Sequence, residues 1–197
     1  MTLLAGAAAQ GCVAMQMYPG PRLPDEQIAT IEPTITYYGF IGDKEVAVIS
    51  FNSGRIGEPL AVLEVLPGRY LVGLRYNGST FGIMIKNNNP CYVVVDALAG
   101  RQYKVNGQHG IGADRWKCWV SDLDTKSRRE GIVVAGELPL REELPALMDA
   151  MEAEIARRSA VGLDEADLNW RTIRNVPVAP ASGQTAADMP AAPTGSQ

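Results

Sequence analysis

The sequence predicts a mainly β protein: an antiparallel β-sandwich of about seven or eight strands, followed by a C-terminal α-helix and a disordered tail. Three observations predict this fold. Between residues 35 and 136, apolar runs alternate with turn residues every ~8–12 positions. After Gly136, apolar residues recur at three- and four-residue steps, as on one face of a helix. From residue 175 onward, Ala, Pro, Ser and Thr prevail and cannot form a core.

The charge balance excludes one large class of partners. The 197 residues include 18 basic and 22 acidic side chains, with a net charge of −4, whereas nucleic-acid binding needs a concentrated positive field. One His and three Cys are too few for a zinc cage built from these residues. No apolar run reaches the ~20 residues of a membrane-spanning helix. We therefore expect no nucleic-acid partner, no metal and no cofactor.

Residues 1–12 form a candidate targeting signal. Residues 2–9 are apolar or small, and Gly11 precedes Cys12. This arrangement resembles the end of a bacterial lipoprotein signal, in which a small-residue lipobox ends in a cysteine that becomes diacylated. The basic start of such a signal is missing, since the first charge is Arg22. A start codon assigned too far downstream would explain that gap.

The lipoprotein resemblance implies that Cys12 is lipidated. The lipid would anchor the protein to a membrane, on the periplasmic side of a bacterial cell envelope. The alternative is an Ala-rich terminus with an incidental thiol, on a cytoplasmic protein.

Residues 13–34 are rich in proline. Four prolines between Pro19 and Pro33 exclude a continuous helix, because each lacks an amide donor and restricts the residue before it. We interpret the segment as an extended tether that ends in a short strand around Ile28–Ile31. Such a tether would hold a folded domain clear of a bilayer. An ordinary surface loop fits the composition equally well.

Residues 35–136 are predicted to form the β-sandwich domain. Separators such as Gly42-Asp43-Lys44 and Asn77-Gly78-Ser79 suit tight turns. Polar and apolar residues alternate in Arg69–Tyr76, as in a strand with one solvent-exposed face. Both faces of Cys91–Leu98 are apolar, which indicates a central strand that is covered on both sides. The predicted strands are Ile35–Ile41, Glu45–Phe51, Leu60–Leu66, Arg69–Tyr76, Phe81–Lys86, Cys91–Leu98, Arg101–Asn106 and Trp116–Leu123.

Two stretches of this domain resemble known modules. The run Leu63-Glu-Val-Leu-Pro-Gly-Arg-Tyr-Leu-Val-Gly-Leu-Arg-Tyr76 resembles the signature of PEGA-type and carboxypeptidase-regulatory-like β-sandwiches: an apolar strand, a Pro-Gly turn and a strand that begins with an aromatic residue. The run Ala97-Leu-Ala-Gly-Arg-Gln-Tyr-Lys-Val105, followed by the Trp-bearing segment Trp116–Leu123, is similar to an element of small proteobacterial lipoproteins of unknown function. The resemblance implies an exported β-sandwich and no reaction.

Residues 137–174 are predicted to be helical. We expect the main helix from about Leu144 to Ser159, with Pro145 in its first turn, and a weaker second helix from Asp164. The main helix is expected to pack on the sheet or on a neighbouring subunit. The alternative is a helix that binds a partner through a Met-rich face. Residues 175–197 are predicted to be a disordered Ala/Pro-rich tail.

Few residues of the sequence suggest chemistry. His109 is the only histidine and lies in a Gly-rich stretch, which predicts a solvated hairpin loop rather than a catalytic base. Asp122 and Asp124 could hold calcium, but the cations that follow favour a turn. Trp116 and Trp119 should point to opposite faces of one strand. We expect no catalytic residues.

Cys91 and Cys118 form a candidate disulfide. Each lies in a predicted strand, in step with apolar neighbours, so both should face the core. In an oxidising compartment they could bridge. The alternative is two buried and inert thiols.

These observations favour a non-enzymatic lipoprotein of the cell envelope, which is a β-sandwich that binds an unknown ligand or an envelope protein, or serves as structure. The sequence leaves the oligomeric state open. A second hypothesis is a soluble regulatory or adaptor domain that acts through its C-terminal helix. A third is a hydrolase whose carboxylate site is invisible at the level of sequence spacing.

Overall fold

A computed structural model describes residues 14–39, 42–81, 83–87, 89–109, 116–135, 141–160 and 173–174. The fold is mainly β, as the sequence predicts. The described strands are β1 (Ala14–Gln16), β2 (Ala29–Glu32), β3 (Thr34–Tyr37), β4 (Gly42–Phe51), β5 (Gly54–Arg55), β6 (Val62–Val65), β7 (Gly68–Thr80), β8 (Ile83–Lys86), β9 (Cys91–Ala97), β10 (Gln102–His109), β11 (Trp116–Asp122), β12 (Arg128–Glu130), β13 (Ile132–Ala135) and β14 (Ile173–Arg174). One α-helix, α1, spans Leu144–Ala160.

The strands form two sheets that pack face to face. The first sheet has the order β1-β6-β2-β10-β11-β12, and the second has the order β14-β13-β9-β7-β4-β3, with β5 beside β4 and β8 beside β7. Most neighbours are antiparallel, and the exceptions among the described strands are the pairs β1–β6, β2–β10 and β13–β14. The predicted antiparallel sandwich is confirmed, with these three parallel pairs added.

Strand β9 is covered on both of its faces. Cys91, Val93 and Val95 point into the core between the sheets. Tyr92 and Val94 point to the other side, where the helix lies. The predicted central strand is therefore confirmed, because a strand that is apolar on both faces needs a layer on each.

Helix α1 packs on the outer face of the second sheet. Its buried side chains, spaced by three and four residues, form one apolar stripe. They contact apolar residues of β7, β9 and β13. The two sides of this contact are Leu144, Leu147, Met148 and Met151 on the helix, and Leu71, Tyr92, Val94 and Ile132 on the sheet. The prediction that the helix packs on the sheet is confirmed.

A network of ion pairs fixes the orientation of α1. Arg69 on β7 lies 2.9 Å from a carboxylate oxygen of Asp149 and 2.9 Å from one of Glu152. Arg129 on β12 binds Asp96 on β9 at 2.7 Å and approaches Glu152 at 3.8 Å. These partly exposed pairs contribute little energy individually, but they connect three strands to the helix.

The disulfide Cys91–Cys118 forms, as expected. It joins β9 of the second sheet to β11 of the first, with 6.2 Å between the two Cα atoms, and both cysteines are fully buried. The two residues are 27 positions apart, and a closed loop of that length stabilises the fold by about 3.5 kcal/mol in the chain-entropy model. The bond holds the two layers together at the centre of the core.

From Ala14 onward the N-terminal segment is not a tether, contrary to the expectation for residues 13–34, but the short strand expected around Ile28–Ile31 is present as β2. Within it, β1 and β2 belong to the first sheet, where β6 lies between them and pairs with both. The prolines fall in the connections, and the strand residues Ala29 and Ile31 are fully buried. Composition could not show this, because the hydrogen-bonding partners of β1 and β2 come from distant parts of the chain.

Two predicted turns lie inside strands. Gly42-Asp43-Lys44 opens β4, and Asn77-Gly78-Ser79 continues β7 to Thr80. These residues pair across the sheet, Lys44 with Gly78 and Glu45 with Asn77, and β8 pairs with the far side of β7. Ladder pairing on both sides therefore overrides the turn preference of Asn-Gly.

The Pro67-Gly68 and Ala99-Gly100 corners cross between the sheets. The first leads from β6 to β7 and the second from β9 to β10, and each joins strands of different sheets. Gly100 has a φ of +71°, a left-handed conformation that glycine adopts without strain. The predicted strand–turn–strand order is present, but neither corner closes a hairpin.

The predicted second helix is wrong at its carboxyl end. Ile173 and Arg174 form β14, which pairs in parallel with Val134 and Ala135 of β13. Residues 161–172 and the predicted tail, residues 175–197, lie outside the described residues, as does Cys12.

Substitution of Gly131 by alanine should strongly destabilise the fold. A Cβ at Gly131 would overlap the Sγ atom of Cys118 and lie 2.7 Å from the carbonyl oxygen of Tyr92. We expect Gly131→Ala to lower the free energy of unfolding by about 3 kcal/mol, because this part of the core is rigid. Urea denaturation measures the loss. The control is Gly57→Ala, where a Cβ would meet nothing within 4 Å; equal stabilities of the two variants would contradict the prediction.

Truncation of the Met151 side chain should weaken the packing of helix α1 on the second sheet. Met151 is fully buried between α1 and the second sheet, so Met151→Ala should cost about 3 kcal/mol of stability. Met84→Ala makes the same chemical change at a side chain that is 64% exposed, and it should change stability by less than about 0.5 kcal/mol. Thermal and urea denaturation of the two variants compare them directly. A small loss for Met151→Ala would show that the helix is not held by this face.

Candidate functional site

Two hairpin turns lie side by side at one end of the sandwich, which we call the hairpin end. The β3–β4 turn follows Tyr37, and the β7–β8 turn follows Thr80. Gly42, the first residue of β4, pairs with Thr80, and Thr80 also pairs with Ile83. The register of the sheet therefore brings both turns to the same edge of the molecule.

The hairpin end exposes a group of large apolar side chains, which we call the apolar tip. Its members are highly exposed, although all are aromatic or aliphatic. They are Tyr37 (78% exposed), Tyr38 (52%), Phe81 (78%), Ile83 (69%) and Met84 (64%). An exposed apolar group of this kind is typical of an interaction surface.

Phe81 occupies an unusual backbone conformation at this tip. Its φ is +49°, in the left-handed region that favours Gly, Asn or Asp. A bulky side chain at such a position costs about 1–2 kcal/mol of backbone energy. The turn thus presents an aromatic ring to solvent where a small residue would suit the backbone better, which supports a functional reason for the ring.

A cleft lies beside the apolar tip, where the two sheets part. Strand β2 pairs with β10 only as far as Lys104. The chain then crosses to the second sheet, and the hydroxyl of Thr34 donates to the carbonyl oxygen of Val105. Past this crossing, β10 borders a cleft of about 570 Å³, whose walls include Tyr38, Lys44, Tyr76, His109 and Trp119.

His109 lies in a strand and not in a solvated loop, contrary to expectation. It ends β10, where it pairs with Trp116, and its ring centre lies 5.8 Å from that of Tyr76. Its Nε2 atom is buried and finds no hydrogen-bond partner among the described residues. Burial lowers the pKa of His109 below its ordinary value of 6.5, because a charged ring is disfavoured away from water.

The polar groups that the structure describes in the cleft do not converge on a reaction centre. The hydroxyl of Ser79 donates to the carboxylate of Asp43 and accepts from the Asp43 amide at 3.2 Å. Within the described residues this serine bonds to Asp43 and not to His109, so it lacks the hydrogen bond to a base that activates a nucleophile. Burial raises the pKa of Tyr76, with smaller contributions from Tyr38 and Asp43. The cleft is suited to binding through aromatic walls.

A second cavity, of about 510 Å³, lies on the outer face of the first sheet. Its most enclosed group is the carboxylate of Glu64, which is buried on β6. Arg22 binds it with two hydrogen bonds, from Nε at 3.1 Å and from Nη2 at 2.5 Å. This bidentate pair occupies both oxygens of Glu64, so Glu64 is not a free acid or base for hydrolysis.

The turn after β11 matches its prediction. The carboxylate of Asp122 accepts from the amides of Asp124 and Thr125 at 2.8 and 2.9 Å. Burial alone would raise the pKa of Asp122. The two hydrogen bonds and the charge of Arg101 outweigh that effect and hold the pKa below its ordinary value. Arg101 also lies 3.4 Å from Asp124, where a calcium ion would need another carboxylate. No group of three or more metal-binding side chains occurs in the described ranges.

The two tryptophans of β11 point to opposite faces, as predicted. Trp116 is fully buried, and its Nε1 atom donates to the carbonyl oxygen of Asn89 at 3.1 Å. Trp119 lies on the outer face of the first sheet, where the guanidinium of Arg128 stacks 3.9 Å from its ring centre. Arg128 therefore covers part of this ring through a cation–π contact.

The apolar tip escaped the sequence analysis. The sequence predicts Tyr37 and the segment Phe81–Lys86 as ordinary strand residues, because an exposed extension and a core strand share the same pattern of side chains. One signal was present: aromatic and aliphatic residues directly flank Gly39, and Phe81 precedes another glycine, where hairpin turns are usually polar. The pair Cys91 and Cys118 serves the core and lies outside the cleft walls named above.

Comparison of the chain with family models, curated proteins and solved structures found no match. Among the described residues, no helix is long and apolar enough to cross a membrane.

The titration of His109 tests the geometry of the cleft. Its folded pKa is lowered, so the unfolded chain binds a proton more readily than the folded one. Stability should therefore fall as pH decreases through 6.5 towards the lower pKa of the folded chain. NMR should show the single imidazole titrating below its ordinary pKa. His109→Asn should remove this part of the pH dependence, whereas Gln108→Asn, at the exposed neighbour, should retain it. An ordinary pKa for His109 would contradict its burial.

Proposed function

We propose that the chain is a non-enzymatic lipoprotein of the bacterial cell envelope, anchored through Cys12, whose β-sandwich binds an envelope component. The observation that carries this proposal is the buried bridge between Cys91 and Cys118. Disulfides form and persist in oxidising compartments such as the periplasm, and they are rare in the cytosol. The bridge accounts for two of the three cysteines, and the third is Cys12, which follows the small residues of the lipobox-like stretch.

The shape of the domain supports a binding role. A sandwich with its core fully packed between two sheets and a helix still presents the apolar tip and the neighbouring cleft at one end. Several highly exposed apolar side chains at one end of a domain are typical of a site that another surface covers. Among the described residues of the cleft, Ser79 bonds to Asp43 and not to His109, and this arrangement favours binding over catalysis.

The two alternatives have less support. An adaptor that acts through its C-terminal helix needs a free apolar face, but Leu147, Met148 and Met151 of α1 are buried against the second sheet. A carboxylate-based hydrolase needs an unpaired acid in an enclosed site, but Glu64 is bound by Arg22.

Metabolic labelling with an alkyne analogue of palmitate tests the proposal. The gene is expressed in a bacterium together with its native upstream sequence. We expect the full chain to incorporate the label, to sediment with membranes and to keep the label after hydroxylamine treatment at neutral pH. Neutral hydroxylamine cleaves thioesters but spares the oxygen esters and the amide that hold the fatty acids of a diacylated lipoprotein cysteine. Cys12→Ser should abolish the label and make the protein removable from membranes by an alkaline carbonate wash, which strips peripheral proteins, whereas the acylated chain should resist that wash.

Val13→Ile serves as the matched control, since it alters the neighbouring position and keeps the cysteine. Absence of any label that depends on Cys12 would overturn the anchored assignment and favour the soluble adaptor.

A further inference from the structure

We propose that the apolar tip docks on the phospholipid bilayer, so that the sandwich lies directly against the membrane with its hairpin end in the headgroup layer. This inference rests on the proposed function, because it takes Cys12 as the anchored residue. It adds the surface of the protein that faces the lipid.

The direction of β1 provides the first step. Strand β2 leads through Pro33 into β3, which runs to the hairpin end. Strand β6 is antiparallel to β2, and β1 is parallel to β6. Strand β1 therefore runs away from the hairpin end, and its first residue, Ala14, is the one nearest to it. Ala14 and Ile35 of β3 line the same cavity, so the start of β1 and the start of β3 both border it.

The length of chain between Cys12 and the sheet provides the second step. Only Val13 separates Cys12 from Ala14, so covalent geometry limits the span from Cys12 to Ala14 to about 7 Å. A lipid at that position leaves no tether, and the folded domain cannot stand clear of the bilayer.

The level of the tip provides the third step. Ala14 pairs with Val62, next to the pair of Leu63 with Ile31, so Ala14 lies at the level of Glu32 in the sheet. Tyr37 is five residues beyond Glu32, or roughly 17 Å at the rise of a β-strand. The tip thus extends roughly 10 Å farther than Cys12 can reach, which matches the depth of ~5–10 Å to which interfacial apolar groups enter a membrane.

The chemistry of the two ends of the sandwich agrees with this orientation. The hairpin end exposes Phe81, Ile83 and Met84 together with tyrosines, whose apolar ring and polar hydroxyl suit the membrane–water interface. The opposite end carries charged groups, among them the ion pair of Arg129 with Asp96, which favour water. The opposite end also exposes Leu66 and Leu98, and Asp43 and Lys44 lie at the hairpin end. The exposed aromatic side chains Tyr37, Tyr38 and Phe81 are at the hairpin end, which makes that end the better match to a bilayer interface.

Vesicle flotation of the full chain tests the docking without the anchor. The background is Cys12→Ser, so that binding to vesicles of phosphatidylethanolamine and phosphatidylglycerol reports the tip alone. We expect this protein to float with the vesicles. The substitutions Phe81→Asn and Ile83→Thr should each weaken binding about tenfold. Leu98→Thr is the matched control, because Leu98 is 56% exposed at the opposite end, and it should leave binding unchanged.

A probe attached at the tip gives a second readout that does not depend on affinity alone. Phe81→Cys in the Cys12→Ser background offers a labelling site, since Cys91 and Cys118 are bridged. An environment-sensitive fluorophore there should brighten and shift to the blue with vesicles, whereas the same fluorophore at Leu98→Cys should not. Circular dichroism verifies that each variant is folded.

Three outcomes would overturn the docking proposal. The first is a Cys12→Ser chain that stays in solution at all vesicle concentrations. The second is a loss of binding for Leu98→Thr as large as that for Phe81→Asn. The third is a chain that forms a Phe81-dependent dimer and does not bind vesicles. If Cys12 is acylated but the tip substitutions do not change vesicle binding, the docking proposal alone is overturned and the anchored assignment stands. Vesicle binding through the tip without acylation would support the docking and overturn the anchor.

Discussion

The structure depends on one strand that is buried on both faces. Strand β9 places Cys91, Val93 and Val95 between the two sheets and Tyr92 and Val94 under α1. Apolar side chains on both faces require a covering layer on each, which makes the first sheet and the helix equally necessary. The disulfide adds a covalent bond at this point, because it joins β9 to β11 across the core. Gly131 leaves just enough room for the Sγ atom of Cys118, so the space around the bond admits no side chain.

The apolar tip arises from strands that extend beyond this core. Strand β7 is 13 residues long, and only its first part, from Gly68 to Leu74, pairs with β9. Its remaining residues pair with β4 and β8 instead. They extend the second sheet beyond the region where the first sheet and the helix cover it. Among the described residues, no layer covers the apolar side chains at the end of this extension, which is the physical origin of the apolar tip. The cleft around His109 has the same origin, since β10 also continues past the last residue that β2 pairs with.

The course of the N-terminal segment changes the expected relation between the domain and a membrane. A proline-rich tether would separate the two, whereas β1 as a member of the first sheet leaves one residue between Cys12 and the fold. An anchor at the start of a strand restrains the orientation of a domain far more than an anchor on a long linker does. The lipid attachment and the apolar tip would then act together on one surface, as two weak membrane signals that combine into a stable one.

The sequence by itself determined the elements whose signal is local. Each of these elements follows from the spacing of side chains along one segment. They are the one-sided strand Arg69–Tyr76, the central strand Cys91–Leu98, the helical stripe of Leu144, Leu147 and Met151, and the two cysteines that share the phase of their apolar neighbours. The tertiary structure alone decided the features that depend on a distant partner. Asn77-Gly78 remained in a strand because β4 and β8 pair with it on both sides. Residues 14–16, expected to lie in a tether, entered the first sheet as β1 because β6 provides the hydrogen bonds. The exposure of Phe81 belongs to the same class, because burial is a property of what packs against a residue, and no segment of the sequence contains that information.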